Sequence, residues 1–438
     1  MEKAGKEFWS LGQNKLSLTF FYLLILFLPT QLGKHFFPAF TFIYGLRIDY
    51  LSPTLYLTDI LIFLIFIFSF KNILKLLIQK YKNILVYFLL FLLFLLVGIS
   101  ASKNQLSGLV GIIKIIEYVY LGVFFYLNFN NLNKKLFILL FILGIFFESL
   151  LSLGQYFNKG SFQGLLYFLG ERSFNQQTPG IANASINGEL MLRPYGTFSH
   201  PNILSGYILL SSVLILSFKE TLNKNLIKLV LIFSTLGIFI SFSRVAMVTW
   251  IIFLLTYFLI AMVKKYKNLK LNTTFLKEGL MVLSIVLIFF LILLSNSIVL
   301  ERFTLFSFSD ESVTQRVSLI NSSFNMIIKS PVFGVGINNF LNNLEPEFNN
   351  PILIQPVHNI FLLVFSQIGI IGFFAFMYLF FKSFTRVIAL NKNIFIKLSL
   401  LTVIILIGLF DHYLLTIQQT QILFTIIVSY CLLKPLKN

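Results

Sequence analysis

Ile84-Leu-Val-Tyr-Phe-Leu-Leu-Phe-Leu-Leu-Phe-Leu-Leu-Val-Gly-Ile-Ser100 carries no charged side chain and no proline. A bilayer core takes roughly 20 apolar residues to cross as a helix, and this run approaches that length. It is continuous rather than alternating. That selects a helix, whose backbone groups are satisfied internally, over a barrel strand, whose outward and inward residues alternate. Comparable runs lie on both sides, at 16–38, 56–70, 109–127, 136–157, 201–218, 226–241, 245–263, 278–295, 357–381, 394–411 and 415–433. Together they predict an all-α integral membrane protein, a single polytopic domain over residues 1–438 with about twelve transmembrane helices.

Composition agrees. The chain is 57% hydrophobic and 11% charged, against about 25% charge in soluble domains. The net charge of +18 would suit nucleic acid if it formed one soluble patch, but its distribution argues otherwise. With the N-terminus inside, 23 of the 34 Lys and Arg residues fall in cytoplasmic segments, against four of the 16 acids. That is the positive-inside pattern of a plasma-membrane protein with both termini cytoplasmic. The N-terminal basic region and apolar run resemble a signal sequence, but bulky Phe36-Phe37-Pro38 offers no cleavage site, so the run reads as a retained helix. A single cysteine, Cys431, excludes an intramolecular disulfide and a Cys-based metal cluster.

On this topology two outer loops are long, 158–200 and 296–356. Within the larger one, 312–330 reads as an amphipathic helix with Val313, Val317, Ile320, Phe324 and Ile327/Ile328 on one face, resting on the membrane surface. Pro331 ends it and Gly334-Val335-Gly336 comes next as a turn. All four histidines, His35, His200, His358 and His412, fall on the outer side. Lys114, Glu117 and Glu148 lie inside spans, in the outer halves of their helices, where intramembrane charge faces a cavity or a partner. The polar chemistry therefore gathers at the outer leaflet.

Several polar strings stand at span edges. Arg193-Pro-Tyr-Gly-Thr-Phe-Ser-His200-Pro-Asn202 combines a guanidinium, whose planar fork suits phosphate, with residues that also simply turn and cap a chain. Ser241-Phe242-Ser243-Arg244 is a tight connection whose cation either snorkels to headgroups or holds an anionic lipid head. Arg302 and Gln315-Arg316 read either as solvated charges or as further anion ligands. Val357-His358-Asn359 sets an imidazole at a helix start, where it caps or serves as a base near neutral pH. Gly369 and Gly372 behind it permit close helix packing. At Asp411-His412 the acid can orient an imidazole or pair with an Arg. Glu345 and Glu347 offer too few oxygens for a hard cation.

These strings, in this order over residues 190–380, resemble the O-antigen ligase and O-antigen polymerase superfamily. The resemblance rests on Arg193–Asn202, Ser241–Arg244, Arg316–Phe340 with Pro331-Val-Phe-Gly-Val-Gly336, and Val357–Asn359 with Gly369–Gly372. It implies a GT-C-like membrane glycosyltransferase taking a glycan from a polyprenyl-diphosphate carrier on the extracytoplasmic face. The acceptor hydroxyl would belong to a glycolipid, a glycan or a protein. It implies His358 as the base, with Arg193, Arg244, and Arg316 or Arg302 on the diphosphate, and neither metal nor nucleotide-sugar cofactor. Asn359, Asp411, His412 and His200 would support them. Diphosphate leaves readily once its charge is held, whereas a sugar hydroxyl needs a base, so one His and a few Args suffice. A single displacement would invert the anomeric centre. Ligase and repeat-unit polymerase share this chemistry. A transporter or flippase of lipid-linked glycans is the rival from another class. It would show inverted repeats and midplane polar residues, whereas here the polar residues sit at outer ends and no repeat is visible.

Overall fold

The computed structural model describes residues 15–186, 189–267, 311–345, 354–390 and 394–434, and these are mostly helical. The helices are α1 (Lys15–Leu26), α2 (Leu57–Lys80), α3 (Lys82–Ser100), α4 (Gln105–Asn128) and α5 (Lys134–Asn158), then α6 (Pro201–Ser217), α7 (Lys224–Ile240) and α8 (Arg244–Lys267). After them come α9 (Glu311–Lys329), α10 (Ile360–Leu390), α11 (Ile394–Phe410), α12 (Tyr413–Thr416) and α13 (Gln418–Cys431). Among the described residues α2, α3, α4, α5 and α10 are long and apolar enough to cross a membrane, while α1, α6, α11 and the Arg244–Ile260 part of α8 are shorter apolar helices. The span expected at 278–295 lies outside the described residues.

Three expected spans are redrawn. The run 16–38 is helical only to Leu26 in α1; the chain turns near Pro29, and residues 33–56 form two small antiparallel ladders. One pairs β1 (Gly33–His35) with β4 (Thr54–Tyr56); inside it β2 (Phe42–Ile43) pairs β3 (Leu46–Arg47). Prolines 29, 38 and 53 bar helix here, and Tyr44-Gly45, with φ of 51° and 77°, makes the tight hairpin turn. A third hairpin joins β5 (Asn183–Ile186) to β6 (Glu189–Leu192). The short run 56–70 instead continues as α2 to Lys80, with Lys71, Lys75 and Lys80 on the helix. Their long stems tolerate this because the ammonium can reach out to water. The run 415–433 breaks at extended Ile417, separating α12 from α13. Thr420 Oγ1 donates to the Tyr413 carbonyl and Gln421 Nε2 to that of Leu415, which satisfies acceptors the break leaves open.

Helix α6 is the centre of the bundle, buried along nearly its whole length among α5, α7, α11 and α13. In lipid, apolar burial does not favour one helix pairing over another, so close approach by small residues carries the packing. Gly206 shows this: a Cβ there would lie 2.1 Å from the Tyr413 hydroxyl oxygen. Ser212 and Ser234 hydroxyls meet at 2.6 Å between α6 and α7.

The amphipathic helix is confirmed as α9, but it has two working faces. Leu319 and Met326 are buried in a small core with Phe340, Leu341, Leu344, Ile354, Val357 and Leu363, whereas Val317, Phe324 and Ile328 are exposed. After Pro331 the chain docks edge-on into a break in α10 at Gly369 (φ 64°, ψ −170°). Val335 N donates to Ser366 O at 2.9 Å, Gly336 N to Gln367 O at 3.0 Å, and Ile370 N to Pro331 O at 2.8 Å. Gly369 thus serves backbone docking rather than the helix packing expected from sequence, while Gly372 lies against the Ile368 side chain of its own helix. A Cβ at Gly369 would lie 2.1 Å from Val332 O, and its dihedrals are nearly glycine-only. Gly369→Ala is expected to destabilise the protein by roughly 2 kcal/mol or more, read as a lower thermal midpoint in detergent. An unchanged midpoint would show that the break is not needed.

Candidate active site

The site assembles where four segments meet: the end of β6 into α6, the turn between α7 and α8, the entry to α10, and the link from α11 to α12. Two buried polar groups of α5 shape the first of these. Gln155 Oε1 accepts from Tyr195 N and Gly196 N, and its Nε2 donates to Gly196 O. Glu148 Oε2 accepts from Thr197 N at 3.0 Å. Gly196 turns here at φ 57°, and a Cβ would lie 2.1 Å from Glu148 Oε2. The intramembrane Glu148 is therefore the receptor for the Arg193–Asn202 string. Lys114 and Glu117 belong to a separate cluster, in which Lys114 Nζ meets Asp59 at 2.7 Å and Glu117 at 3.1 Å.

Arg193 is buried to 7% exposure. Its Nε donates to Ser241 O at 3.0 Å and its NH2 group to Asn202 Oδ1 at 2.7 Å. The first bond joins it to the turn that carries Arg244. That turn is backbone-strained, with buried Phe242 at φ 54°, a conformation that persists only where surroundings impose it. The second bond leads onward, because Asn202 Nδ2 donates to Asp411 Oδ2 at 3.1 Å. Asn202 is thus the hub linking the arginine to the acid. In the sequence it read only as a turn residue; its place two positions after His200, inside a string already singled out, was the available signal.

His200 is the N-cap of α6. Its Nδ1 accepts from Asn202 N at 3.1 Å, so the capping role is the one the structure shows. Burial, reinforced by the Arg193 charge, pushes its imidazole down to about 3, so it stays neutral. Asn359 is a cap as well: its Oδ1 accepts from Phe361 N at 2.9 Å and Leu362 N at 3.0 Å at the start of α10. Its Nδ2 donates to Leu409 O at 3.3 Å, which ties the His358 turn to the end of α11.

His358 Nδ1 lies 3.4 Å from Asp411 Oδ1. This is ion-pair distance, without the geometry of a good hydrogen bond. Asp411 Oδ1 also accepts from His412 N at 2.8 Å. Burial alone would raise the Asp411 carboxyl, but the His358 imidazole beside it outweighs this and holds the group below the usual carboxylate range. An ionised Asp beside Nδ1 favours the tautomer with Nδ1–H toward the acid, leaving Nε2 to accept a proton. Nε2 sits 3.2 Å from Gln355 Oε1, and which amide atom faces it is set by that same proton. The His358 and His412 rings are 4.9 Å apart.

His412 is 3% exposed, with Nδ1 2.7 Å from Thr416 Oγ1 and the Tyr50 ring edge-on at 5.5 Å. Arg316 on α9 acts on it electrostatically. Burial pushes the His412 imidazole down to about 3, against the pull of Asp411. Between that value and an unfolded value of about 6.5, only the unfolded chain takes up this proton. Stability is therefore expected to fall as pH drops below about 6.5, by up to about 1.4 kcal/mol per pH unit from this group. Thermal midpoints from pH 7 to 4 check this: His412→Asn should flatten the acid limb, and an identical limb would refute the assignment.

Arg193, Arg244, His358, Asp411 and His412 thus fall along one connected set of segments, with Arg316 within electrostatic reach. Arg302 and Glu347 lie outside the described residues, and Glu345 pairs instead with Lys329 at 3.9 Å, away from this set. His358, Asp411 and His412 are also a set of three groups close enough to hold a metal ion, with ligand atoms within 4.8 Å of one another. Both Asp411 oxygens and His412 Nδ1 already have protein partners, however.

Residues 229–377 match the family model described as O-Antigen ligase. This region belongs to the O-antigen ligase superfamily. The ligase-type match covers about a third of the chain and includes Arg244, Arg316, His358 and Asn359. Arg193, Asn202, Asp411 and His412 lie outside it and join the site through the contacts above. Comparison with curated proteins gives no match.

Proposed function

We propose that this membrane protein is an O-antigen ligase-type glycosyltransferase. It takes a glycan from a polyprenyl-diphosphate carrier and joins it to an acceptor hydroxyl on the extracytoplasmic face of the plasma membrane, within a bundle of about twelve spans whose termini are both cytoplasmic. His358 Nε2 removes the acceptor proton while Asp411 fixes the tautomer and stabilises the imidazolium. Arg193, Arg244 and Arg316 hold the diphosphate as its charge develops, with Arg302 a further candidate. The hydroxyl oxygen attacks the anomeric carbon as the bond to diphosphate breaks, inverting configuration.

The observation that supports this reading is the Arg193–Asn202–Asp411–His358 chain of contacts, which links a guanidinium, suited to a leaving diphosphate, to an imidazole, suited to act as a base. Arg193, Arg244 and Arg316 outnumber the acid Asp411 among these residues, so the site attracts an anion.

Purified protein should be offered carrier-linked glycan with two acceptors, a glycolipid core and a second carrier-linked glycan. A glycolipid product is the ligase result, and a ladder of lengthened carrier-linked glycans is the polymerase result. EDTA should leave the rate essentially unchanged. Loss of activity in EDTA would restore the metal reading of His358, Asp411 and His412.

A further inference from the structure

We propose that Arg172 is a further binding cation for the diphosphate of the lipid-borne donor, carried to phosphate depth by the apolar turn before it. The proposal rests on the donor class given above. From 160 to 170 the chain has no charged residue, and its 3-10 turn Gly164–Leu169 displays large apolar side chains. Leu165 is 84% exposed, Phe168 67% and Tyr167 58%. Leaving such area in water costs about 25 cal/mol per Å², and aromatic rings concentrate at membrane interfaces. Lipid is thus the medium this turn suits.

The segment after the turn is held rigidly. Gly170 (φ 102°) presses so closely on Thr30 and Gln31 that a Cβ would lie 2.5 Å from Thr30 Oγ1, and Gln31 Nε2 donates to its carbonyl at 3.2 Å. Glu171 is buried, accepting from Gln155 Nε2 at 2.8 Å, Phe162 N at 3.0 Å and Gln163 N at 2.6 Å. Gln155 is also the residue that shapes the Arg193 string, so the two arginine segments share one anchor. Arg172 itself is exposed, and among the described residues it has no ion-pair or hydrogen-bond partner. An exposed guanidinium on a fixed segment, next to a lipid-seeking turn, is suited to an anion that arrives from the bilayer.

Its position is toward the site. The Arg172 charge acts on both Tyr50 and Tyr195. Tyr50 packs on His412, and Tyr195 on His200 at 6.1 Å. The same charge also acts on His35 and Tyr56; the geometric link to the site is Gln155, which holds both Glu171, next to Arg172, and the Arg193 string.

The test is equilibrium binding by the full chain in nanodiscs, with farnesyl diphosphate as probe and farnesol and phosphatidylglycerol in parallel arms. Arg172→Ala is expected to weaken farnesyl diphosphate binding about tenfold, with Arg172→Lys recovering part of it and farnesol unaffected. Equal affinity of wild type and Arg172→Ala for farnesyl diphosphate overturns the role of Arg172 alone. An equal loss toward phosphatidylglycerol also overturns it, by showing a general membrane anchor. Failure of the wild type to bind farnesyl diphosphate at all overturns the donor class as well.

Discussion

Replacing His358 with alanine is expected to lower glycan transfer by roughly 10²–10⁴-fold, the usual worth of a positioned base. The expectation comes from the contacts the imidazole makes and from those it does not make. Its Nδ1 faces Asp411 at 3.4 Å and its Nε2 faces Gln355 at 3.2 Å, but the α10 entry is capped by Asn359 rather than by His358. The variant should therefore keep its thermal midpoint and donor affinity while losing the chemical step. Asp411→Asn should show part of the same loss, since an amide can still accept from Asn202 but no longer favours the protonated ring. Rates at saturating donor, with unfolding measured in parallel, separate these effects. Full activity in His358→Ala would remove the base.

Arg193→Ala is expected to cost as much or more, because it touches two things at once. A lost cation at a site of developing charge costs roughly 10²–10³-fold. This cation also bridges Ser241 O to Asn202 Oδ1, so truncation leaves buried partners unpaired, at about 1–3 kcal/mol each. Arg193→Lys keeps the charge but loses the planar fork and should recover less than half of the logarithmic loss. Donor titration checks the assignment: a variant that folds and binds donor as the wild type does would exclude Arg193 from the diphosphate site.

How much of the fold and site was legible in the sequence depended on how local the cause was. Apolar continuity located α3, α5, α6 and α11 nearly to the residue, and α4 and α8 to within four residues at one end, because a spanning helix is specified by its own composition. It failed at the end of the 16–38 run, where exposed Phe36 and Phe37 imitate a span and only Pro29 and Pro38 mark that the helix has ended. It also missed the breaks at Gly369 and Ile417, whose open backbone groups are satisfied by partners distant in sequence or by side chains. The site divides in the same way. Arginines and histidines at span edges stood out because charge is scarce in this chain. Asn202 as hub, Asn359 and His200 as caps, and Gln155 in the mould of the Arg193 string did not, since such side chains gain their role only from the groups the fold brings to them; Glu148 stood out as an intramembrane charge, but its partner Thr197 did not.

The most direct measurement tracks both products of one reaction in proteoliposomes: free polyprenyl diphosphate and glycan newly linked to an acceptor hydroxyl, with the anomeric configuration of that link. The account predicts one carrier released for each glycan joined, with inverted configuration. Donor moved across the bilayer with its glycan still attached, or a retained configuration in the product, would contradict it.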